Sequence, residues 1–290
     1  QHASVHAMRG AIDANGSVIR WSHKKISNPV MTIDDPPTSA DTADLAAFYQ
    51  DSAWGTFDIP YAIPNLETSY VRVDAPIRYG PWRAVYAPSS VFARESFVDE
   101  LAHAAKRDPL QMRLDLLRGD DVIKAGSLTI DRRRLRHVLE AVRERSGWGD
   151  GRPRGVACNV YDGETTIAYV AEISLDAKKV FRVDRIVCAV DCGPVVNPIG
   201  VEQQVEGGVI WALAQLRNQV TIRRGAVQQS TYRDYPVPRI DDAPRIETHI
   251  LPTLDVRPTG MGEPPVPPLV PAVLNAYFAL SGVRVRRLPL

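Results

Sequence analysis

The 290-residue chain is 44% hydrophobic and 24% charged, as in an ordinary globular protein, and can form one large domain or two smaller ones. Its net charge of +1 argues against a nucleic-acid or anionic-membrane partner, and no apolar run approaches the roughly 20 residues that span a bilayer. The three cysteines include no Cys-x-x-Cys pair, so we expect no disulfide framework and no iron–sulfur cluster bound by this chain alone.

The first part of the chain predicts a hairpin and then helices. Val5–Ile12 and Val18–Ile26 are typical of strands and flank Asn15-Gly16, a dipeptide favoured in tight hairpin turns. The further elements expected here are a long excursion over residues 29–60 with a short helix near Ala43–Tyr49, a strand near Thr68–Val73, and helices over Val91–Ala105, from Asp108-Pro109 onward and over Ile130–Ser146. The arginines at 132, 133, 134 and 136 are interpreted as a solvated helix face rather than a polyanion site.

Gly147-Trp148-Gly149-Asp150-Gly151 is the clearest linker signal. We therefore divide the chain into residues 1–146, a linker over 147–153, and residues 154–290. The elements expected beyond the linker are strands over Arg154–Val160, Thr166–Leu175, Val180–Val190, Gln219–Arg223 and Arg245–Leu251, and helices over Gly200–Leu216 and Pro267–Ala279. Hairpins and helices without regular βαβ alternation predict an α+β fold, and the two similar hairpins suggest two related subdomains.

The most informative segment is Gly260-Met261-Gly262-Glu263-Pro264-Pro265, which places one carboxylate between glycines and prolines. Glycine permits close backbone approaches and proline stiffens the chain after it, so such a loop can hold Glu263 as a positioned general base. The alternative is a rigid turn into a helix, with Glu263 as a surface or capping residue.

Two other segments carry candidate binding residues. After Asp191-Cys192-Gly193, a Gly/Pro/Asn turn feeds a helix bearing Gln203 and Gln204. Their amide side chains and the helix N-terminus suit an anion or a heterocycle. The alternative there is a plain strand–turn–helix junction. Trp82 offers a flat apolar wall and Arg83 a cationic fork for an oxygen-rich ligand, unless Trp82 is a core residue and Arg83 pairs with a nearby acid.

Several other chemistries lack sequence support. The six histidines are scattered without His-x-x-x-His spacing, so a protein-ligated zinc or iron site is not expected. The chain has no Gly-x-Ser-x-Gly nucleophile elbow and no Gly-x-Gly-x-x-Gly or phosphate loop. Serine hydrolysis, nicotinamide chemistry and ATP chemistry are therefore not indicated.

Taken together, these segments resemble the molybdenum-binding subunit of the xanthine oxidase family, in particular the large subunit of isoquinoline 1-oxidoreductase and related bacterial aldehyde dehydrogenases. The resemblance rests on Gly-x-Gly-Glu-Pro-Pro before an apolar helix, on the order Asp-Cys-Gly, Asn-Pro, Gln-Val-Glu-Gly, and on the Trp-Arg loop. It runs from about Val5 to Leu290 and implies a molybdopterin-binding fold of the xanthine oxidase type.

The resemblance also implies the roles of individual residues. Glu263 takes the place of the catalytic glutamate, the general base that deprotonates a molybdenum-bound hydroxide, and Trp82 belongs to the substrate pocket. No protein side chain ligates the metal directly. The residues assigned to the cofactor are Arg83, Gln204, Gly260, Met261 and Gly262.

The implied cofactor is molybdopterin with molybdenum, in its cytosine dinucleotide form, and the implied substrate is an aldehyde or an N-heteroaromatic compound. The family's subunit is more than twice as long, and its Gly-Gly-Gly-Phe-Gly and Met-Gly-Gln-Gly loops do not occur here. We therefore expect the chain to be a piece, with a second polypeptide that carries the rest of the molybdenum-binding subunit. The resemblance further implies a [2Fe–2S] subunit, with an FAD subunit or a cytochrome c as further candidates, in either the cytoplasm or the periplasm.

Two alternatives belong to other functional classes. A structural or assembly subunit would keep the fold and bind no metal. A cofactor-independent hydrolase with Glu263 as its base would be active without molybdenum.

Overall fold

The computed structural model describes residues 3–29, 55–73, 80–177 and 180–290. The strands are β1 (Ser4–Ile12), β2 (Val18–Ser27), β3 (Asn65–Arg72), β4 (Val122–Ala125), β5 (Leu128–Asp131), β6 (Gly155–Tyr161), β7 (Thr165–Leu175), β8 (Phe181–Asp191), β9 (Ile222–Arg223), β10 (Ala226–Val227) and β11 (Arg245–Ile250). The α-helices are α1 (Ala87–Ala104), α2 (Pro109–Leu116), α3 (Arg132–Ser146), α4 (Pro198–Arg217) and α5 (Leu269–Ser281). The helix expected near Ala43–Tyr49 lies outside the described residues.

A four-stranded sheet in the order β11-β8-β7-β6 forms the centre of the fold. Strands β6, β7 and β8 are antiparallel, and β11 runs parallel to β8. Along β7, Ile167 and Tyr169 enter one hydrophobic core, while Ala168 and Val170 enter the other. Helices α4 and α5 belong to the first core and α3 to the second, so the sheet is buried on both faces. The expected α+β fold is confirmed.

The N-terminal hairpin extends into a three-stranded sheet that packs on α1. β1 and β2 pair antiparallel as expected, and β3 joins β2 in parallel, beginning a few residues before the predicted strand. Trp21 of β2 is fully buried, and its ring meets Phe97 of α1 edge-on, with ring centroids 4.8 Å apart. This contact fixes α1 against the small sheet while the beginning of α1 reaches the first core.

Helix α3 begins at Arg132, two residues later than predicted. The Asp131 side chain accepts a hydrogen bond from the Arg133 amide at 2.9 Å and caps the helix. Ile130 instead pairs with Ile123 in the β4–β5 hairpin, which the sequence analysis did not predict. The apolar residue before the cap is therefore a strand residue rather than part of the helical face.

The interpretation of the arginine cluster as a solvated face is wrong for two of its members. Arg132 is buried and its Nε donates to the Pro60 carbonyl at 2.6 Å. Arg134 is buried against Asp191, the last residue of β8. Both side chains are drawn inward by acceptors that are remote in sequence, which charge patterning along one helix cannot reveal.

The region after α4 contains less regular structure than expected. Of the strand predicted over Gln219–Arg223, only Ile222–Arg223 forms, and it pairs with Ala226–Val227. Helix α3, which precedes the proposed linker, packs on β7 and β8, which come after it. The division at residues 147–153 stays a prediction about chain organisation.

Candidate active site

Glu263 is half-buried, and each of its carboxylate oxygens accepts a hydrogen bond. Oε1 accepts from the Ala84 amide at 3.0 Å, and Oε2 accepts from the Tyr161 hydroxyl at 2.7 Å. Tyr161 is the last residue of β6, and Ala84 precedes α1, so two remote segments meet at one carboxylate. Because each oxygen has a second lone pair, the carboxylate can still accept a proton.

The turn that presents the Ala84 amide has an unusual backbone. Ala84 has a φ of 72° and Val85 a φ of 48°, in the left-handed region that is costly for any residue with a Cβ. Val85 N–H donates to the Trp82 carbonyl at 2.6 Å and Ala87 N–H to the Ala84 carbonyl at 2.9 Å, which closes the turn. Local strain of this kind is common at functional sites, where surrounding contacts maintain it.

Tyr161 is a hydrogen-bond donor to Glu263 rather than a second base. Burial, followed by the hydrogen bond to the Glu263 carboxylate, raises the pKa of Tyr161 well above its ordinary value. The phenol therefore stays protonated through the neutral range. Its proton remains available to orient the carboxylate.

The loop around Glu263 is anchored on strand β7. Thr165 Oγ1 donates to the Gly260 carbonyl at 3.0 Å, and the buried Tyr169 hydroxyl donates to the Pro265 carbonyl at 3.0 Å. Within the loop, Val266 N–H donates to the Glu263 carbonyl at 3.0 Å. The backbone on both sides of Glu263 is thereby held against the central sheet.

Arg83 bridges the glutamate loop and helix α4. Its Nε donates to the Gly262 carbonyl, and its Nη2 donates to the Gln204 carbonyl at 3.3 Å and to Gln204 Oε1 at 2.9 Å. Burial lowers the pKa of Arg83, and the Tyr169 and Glu263 side chains oppose that shift. Nε and Nη2 of Arg83 therefore donate to protein acceptors. A direct contact between Arg83 and a cofactor stays a prediction, and it would involve Nη1.

The contact with Arg83 also orients Gln204. A guanidinium has only donors, so the amide oxygen of Gln204 must face it and the amide NH₂ must point away. The Gln204 side chain is exposed on the first turns of α4. Its two N–H donors are therefore available to an acceptor outside the described residues.

Trp82 forms one side of a small aromatic wall. Its ring packs against that of Trp211 with centroids 5.4 Å apart and planes tilted by 32°. Trp211 is 47% exposed, which is high for so large an apolar ring. Gln204, Gly207 and Trp211 follow the i, i+3, i+7 spacing of one helix face. The two tryptophan rings therefore lie on the same side of α4 as Gln204 and Gly207.

Three glycines around this face have no packing role within the described residues. A Cβ built on Gly260 or Gly262 would meet no heavy atom within 4 Å, and one on Gly207 would meet only Arg83 Nη1, at 3.7 Å. None of the three has a positive φ. At these three positions another group could approach the backbone of the loop and of α4 closely.

Of the seven residues predicted for the site, six lie on the Trp82-Arg83 turn, on the first turns of α4 or on the open side of the glutamate loop. The side chain of the seventh points into the core. The six are Trp82, Arg83, Gln204, Gly260, Gly262 and Glu263. Met261 is 7% exposed and its side chain packs in the first core, so only its backbone can face a ligand. In the described ranges, no group of three or more His, Cys, Asp or Glu side chains could hold a metal ion.

Residues 142–244 match the molybdopterin cofactor-binding domain family. The chain is 32% identical over 246 residues to the B subunit of nicotinate dehydrogenase from Pseudomonas putida, which covers 79% of this chain and 20% of that protein. It is 31% identical over 208 residues to the beta subunit of isoquinoline 1-oxidoreductase from Brevundimonas diminuta, which covers 69% of this chain and 25% of that protein. The fold superposes on aldehyde oxidoreductase from Desulfovibrio gigas with a TM-score of 0.76 at 14% identity, over 99% of this chain and 48% of that one.

The chain belongs to the molybdenum-binding subunits of the xanthine oxidase family. It spans about a fifth to a quarter of the length of the two curated relatives named above. The family resemblance predicted from the Trp-Arg, Gln-Val-Glu-Gly and glutamate-loop segments is therefore confirmed. None of the helices in the described part of the chain is both long and apolar enough to cross a bilayer.

Sequence reasoning missed three residues of this candidate site: Ala84, Tyr161 and Trp211. Trp211 follows Gln204 by seven residues on the same helix, so helical spacing could have identified it. Ala84 acts through its backbone amide, and an alanine carries no sequence signal for that role. Tyr161 is one of ten tyrosines, and nothing local distinguishes it from the others.

Adjacent glycines on α4 should respond oppositely to an added methyl group. A Cβ on Gly208 would lie 2.5 Å from the Pro265 Cβ, whereas Gly207 is open. We expect Gly208→Ala to lower the free energy of unfolding by about 1–3 kcal/mol through overpacking. Gly207→Ala should raise it by up to about 1 kcal/mol, because alanine is the better helix former. Urea unfolding of the two variants measures both, and equal effects would contradict the assigned packing.

Proposed function

We propose that this chain supplies the catalytic base and one wall of the cofactor site in a molybdenum-dependent oxidoreductase that hydroxylates an aldehyde or N-heteroaromatic carbon. One observation carries the proposal: Glu263, held at both oxygens, lies beside a face whose glycines are open to another group. The names of nicotinate dehydrogenase and isoquinoline 1-oxidoreductase support an N-heteroaromatic substrate. An aldehyde substrate is supported by the name of a further relative, a membrane-bound aldehyde dehydrogenase from Gluconacetobacter polyoxogenes that is 32% identical over 73% of this chain.

The residues present fit a large, acceptor-rich cofactor. The Gln204 NH₂ group points away from Arg83 and can donate to a pterin nitrogen or oxygen. The open sides of Gly207, Gly260 and Gly262 admit a flat group close to the backbone. When bound, the cofactor, in its cytosine dinucleotide form, supplies the two-electron oxidation and the transfer of a water-derived oxygen.

The chain's own contribution is proton transfer and orientation. Glu263 accepts the proton that the water-derived nucleophile gives up, using the free lone pair of a carboxylate oxygen. Ala84 N–H and the Tyr161 hydroxyl each donate a hydrogen bond to that carboxylate. Trp82 and Trp211 flank the face with apolar rings, which suits a planar substrate and excludes water from one side.

The rest of the site would come from elsewhere, because the chain covers only part of its relatives' length. We propose that further molybdenum-binding sequence completes the cofactor site and that a [2Fe–2S] subunit accepts the electrons. An FAD subunit or a cytochrome c would then pass them on. The compartment of the assembled enzyme, cytoplasm or periplasm, follows from which of these acceptors is present.

The proposal is tested by the molybdenum content and turnover of the complete enzyme that contains this chain. Adjacent glutamines supply a matched pair: Gln204 contacts Arg83, while Gln203 is exposed one residue away on the helix. We expect molybdenum in the wild type and in Gln203→Ala, and about tenfold weaker cofactor retention in Gln204→Ala, because a hydrogen bond to the cofactor is lost.

Turnover is measured with a panel of aldehydes and N-heteroaromatics and an artificial electron acceptor. Oxidation of one panel class, dependent on molybdenum, identifies the substrate class. An assembled enzyme without molybdenum would favour the structural-subunit alternative. Hydrolysis of a separate ester and amide panel without the metal, with no reduction of the electron acceptor, would favour the hydrolase alternative.

A further inference from the structure

A second hydrogen bond connects the two segments that donate to Glu263. The Tyr86 hydroxyl donates to Asp162 Oδ1 at 2.8 Å. Tyr86 is two residues beyond Ala84, and Asp162 directly follows Tyr161. This Tyr86–Asp162 hydrogen bond therefore connects the turn that presents the Ala84 amide to the end of β6 that presents the Tyr161 hydroxyl.

We propose that Tyr161 is a positioning residue that fixes the orientation of the Glu263 carboxylate. We further propose that the Tyr86–Asp162 hydrogen bond holds the Tyr161 hydroxyl and the Ala84 amide in fixed positions relative to each other. This inference rests on the proposed role of Glu263 as the base. It assigns a function to three residues that the cofactor-facing motifs do not contain.

The geometry suits a positioning role. A glutamate side chain has three rotatable bonds, and a donor at each oxygen restricts both its tilt and the rotation of its carboxylate. Tyr161 is 8% exposed at the end of β6, and its ring packs in the first core. Donors held on rigid elements orient a catalytic group better than donors on mobile loops.

Behind Tyr161 lies a small polar cavity. It is lined by Gly55, Asp58, Tyr86, Asn159, Tyr161 and Asp162, among other residues. Burial raises the pKa of Asp58, so this side of the tyrosine is a poorly solvated polar environment. Removing one hydroxyl oxygen from Tyr161 adds no volume, and we therefore expect Tyr161→Phe to fold and to retain the cofactor.

The first measurement is steady-state kinetics of the complete enzyme. We expect Tyr161→Phe to lower kcat about tenfold with KM within about twofold, since one hydrogen bond to a charged group is lost at the base and not at the substrate. Tyr86→Phe should lower kcat less, by about threefold, because it removes the hydrogen bond to Asp162 and keeps the Tyr161 donor to Glu263. Tyr232→Phe, which alters a tyrosine that is 85% exposed, is the control and should match the wild type.

The second measurement does not need the loaded enzyme. Infrared spectra of cofactor-free protein labelled with ¹³C at the glutamate carboxyl carbon contain a Glu263 band, assigned by its loss in Glu263→Gln. We expect Tyr161→Phe to shift the asymmetric carboxylate stretch of that band, because a hydrogen bond to Oε2 is removed. Tyr232→Phe should leave it unchanged.

The outcomes separate this inference from the proposed function. If Glu263→Gln abolishes turnover while Tyr161→Phe keeps full kcat and an unshifted band, the positioning role is wrong and the base stands. If Glu263→Gln keeps turnover, the proposed base is wrong, whatever Tyr161 does. A fall in kcat accompanied by a lower melting temperature and an unshifted band would mean that Tyr161 is only structural, which also overturns the inference.

Discussion

Replacing Glu263 with glutamine is expected to lower kcat by about 10²–10⁴-fold, the usual contribution of a positioned general base. Glutamine keeps the size of the side chain but has no basic oxygen. Its amide oxygen can still accept from the Ala84 amide, and its NH₂ group can donate to the Tyr161 oxygen, because a phenol hydroxyl both donates and accepts. The variant would thus lose the proton acceptor while keeping the shape of the site.

Cofactor content should not change in Glu263→Gln. The backbone of the loop is held by Thr165, Tyr169 and Arg83, none of which uses the Glu263 side chain as its loop acceptor. Metal analysis beside the kinetic measurement separates a lost base from a lost cofactor. Glu140→Gln, on an exposed position of α3, serves as the matched control. Turnover near that of the wild type in Glu263→Gln would end the assignment of this residue as the base.

The largest effect on stability is expected from Asp191→Asn. Arg134 donates to both carboxylate oxygens of Asp191, at 2.7 and 2.9 Å, and the side chain of Asp191 is fully buried. Thr253 Oγ1 donates to Oδ2 at 2.5 Å, and Gly193 N–H donates to Oδ1 at 3.0 Å. Burial alone would raise the pKa of Asp191, but these hydrogen bonds outweigh it and hold the pKa below its ordinary value.

Asparagine at position 191 would leave the buried Arg134 charge without a counter-charge and replace one acceptor by an NH₂ donor. We expect the free energy of unfolding to fall by about 3–5 kcal/mol, the usual result of breaking a buried ion pair. Urea or thermal unfolding measures the loss. Arg133→Gln, one residue from Arg134 but in an exposed pair with Asp131, should leave the midpoint unchanged. Equal effects of the two substitutions would show that the Arg134–Asp191 pair does not stabilise the fold.

The Arg134–Asp191 pair shows which features can be predicted from the sequence and which require the folded structure. The Asp-Cys-Gly motif and the arginine cluster were both visible in the sequence, yet they were interpreted separately, one as a turn and one as a solvated face. They form one buried ion pair across 57 residues. Charge patterning describes one helix at a time, and it cannot identify a partner on a strand of another segment.

The fold was largely predictable because most of its elements have local signals. Asp108 caps α2 by accepting from the Gln111 amide at 2.7 Å, and Asn197 caps α4 by accepting from the Gly200 amide at 3.1 Å. Gly282, with a φ of 71°, ends α5. The β4–β5 hairpin was missed because its strands are only four residues long, too short for a clear alternation.

The order of residues along the chain was enough to predict that Glu263 lies in a stiff Gly- and Pro-rich loop before an apolar helix, and that Gln204 lies on a helix that follows a Gly/Pro/Asn turn. Those features depend on consecutive residues, whose conformational preferences act locally. The contacts that hold Glu263 in place became visible only in the folded protein. Its donors are a backbone amide 179 residues away and a hydroxyl 102 residues away. Such contacts arise because the sheet and the helices pack their apolar faces together, and that packing brings polar groups of distant segments to one point.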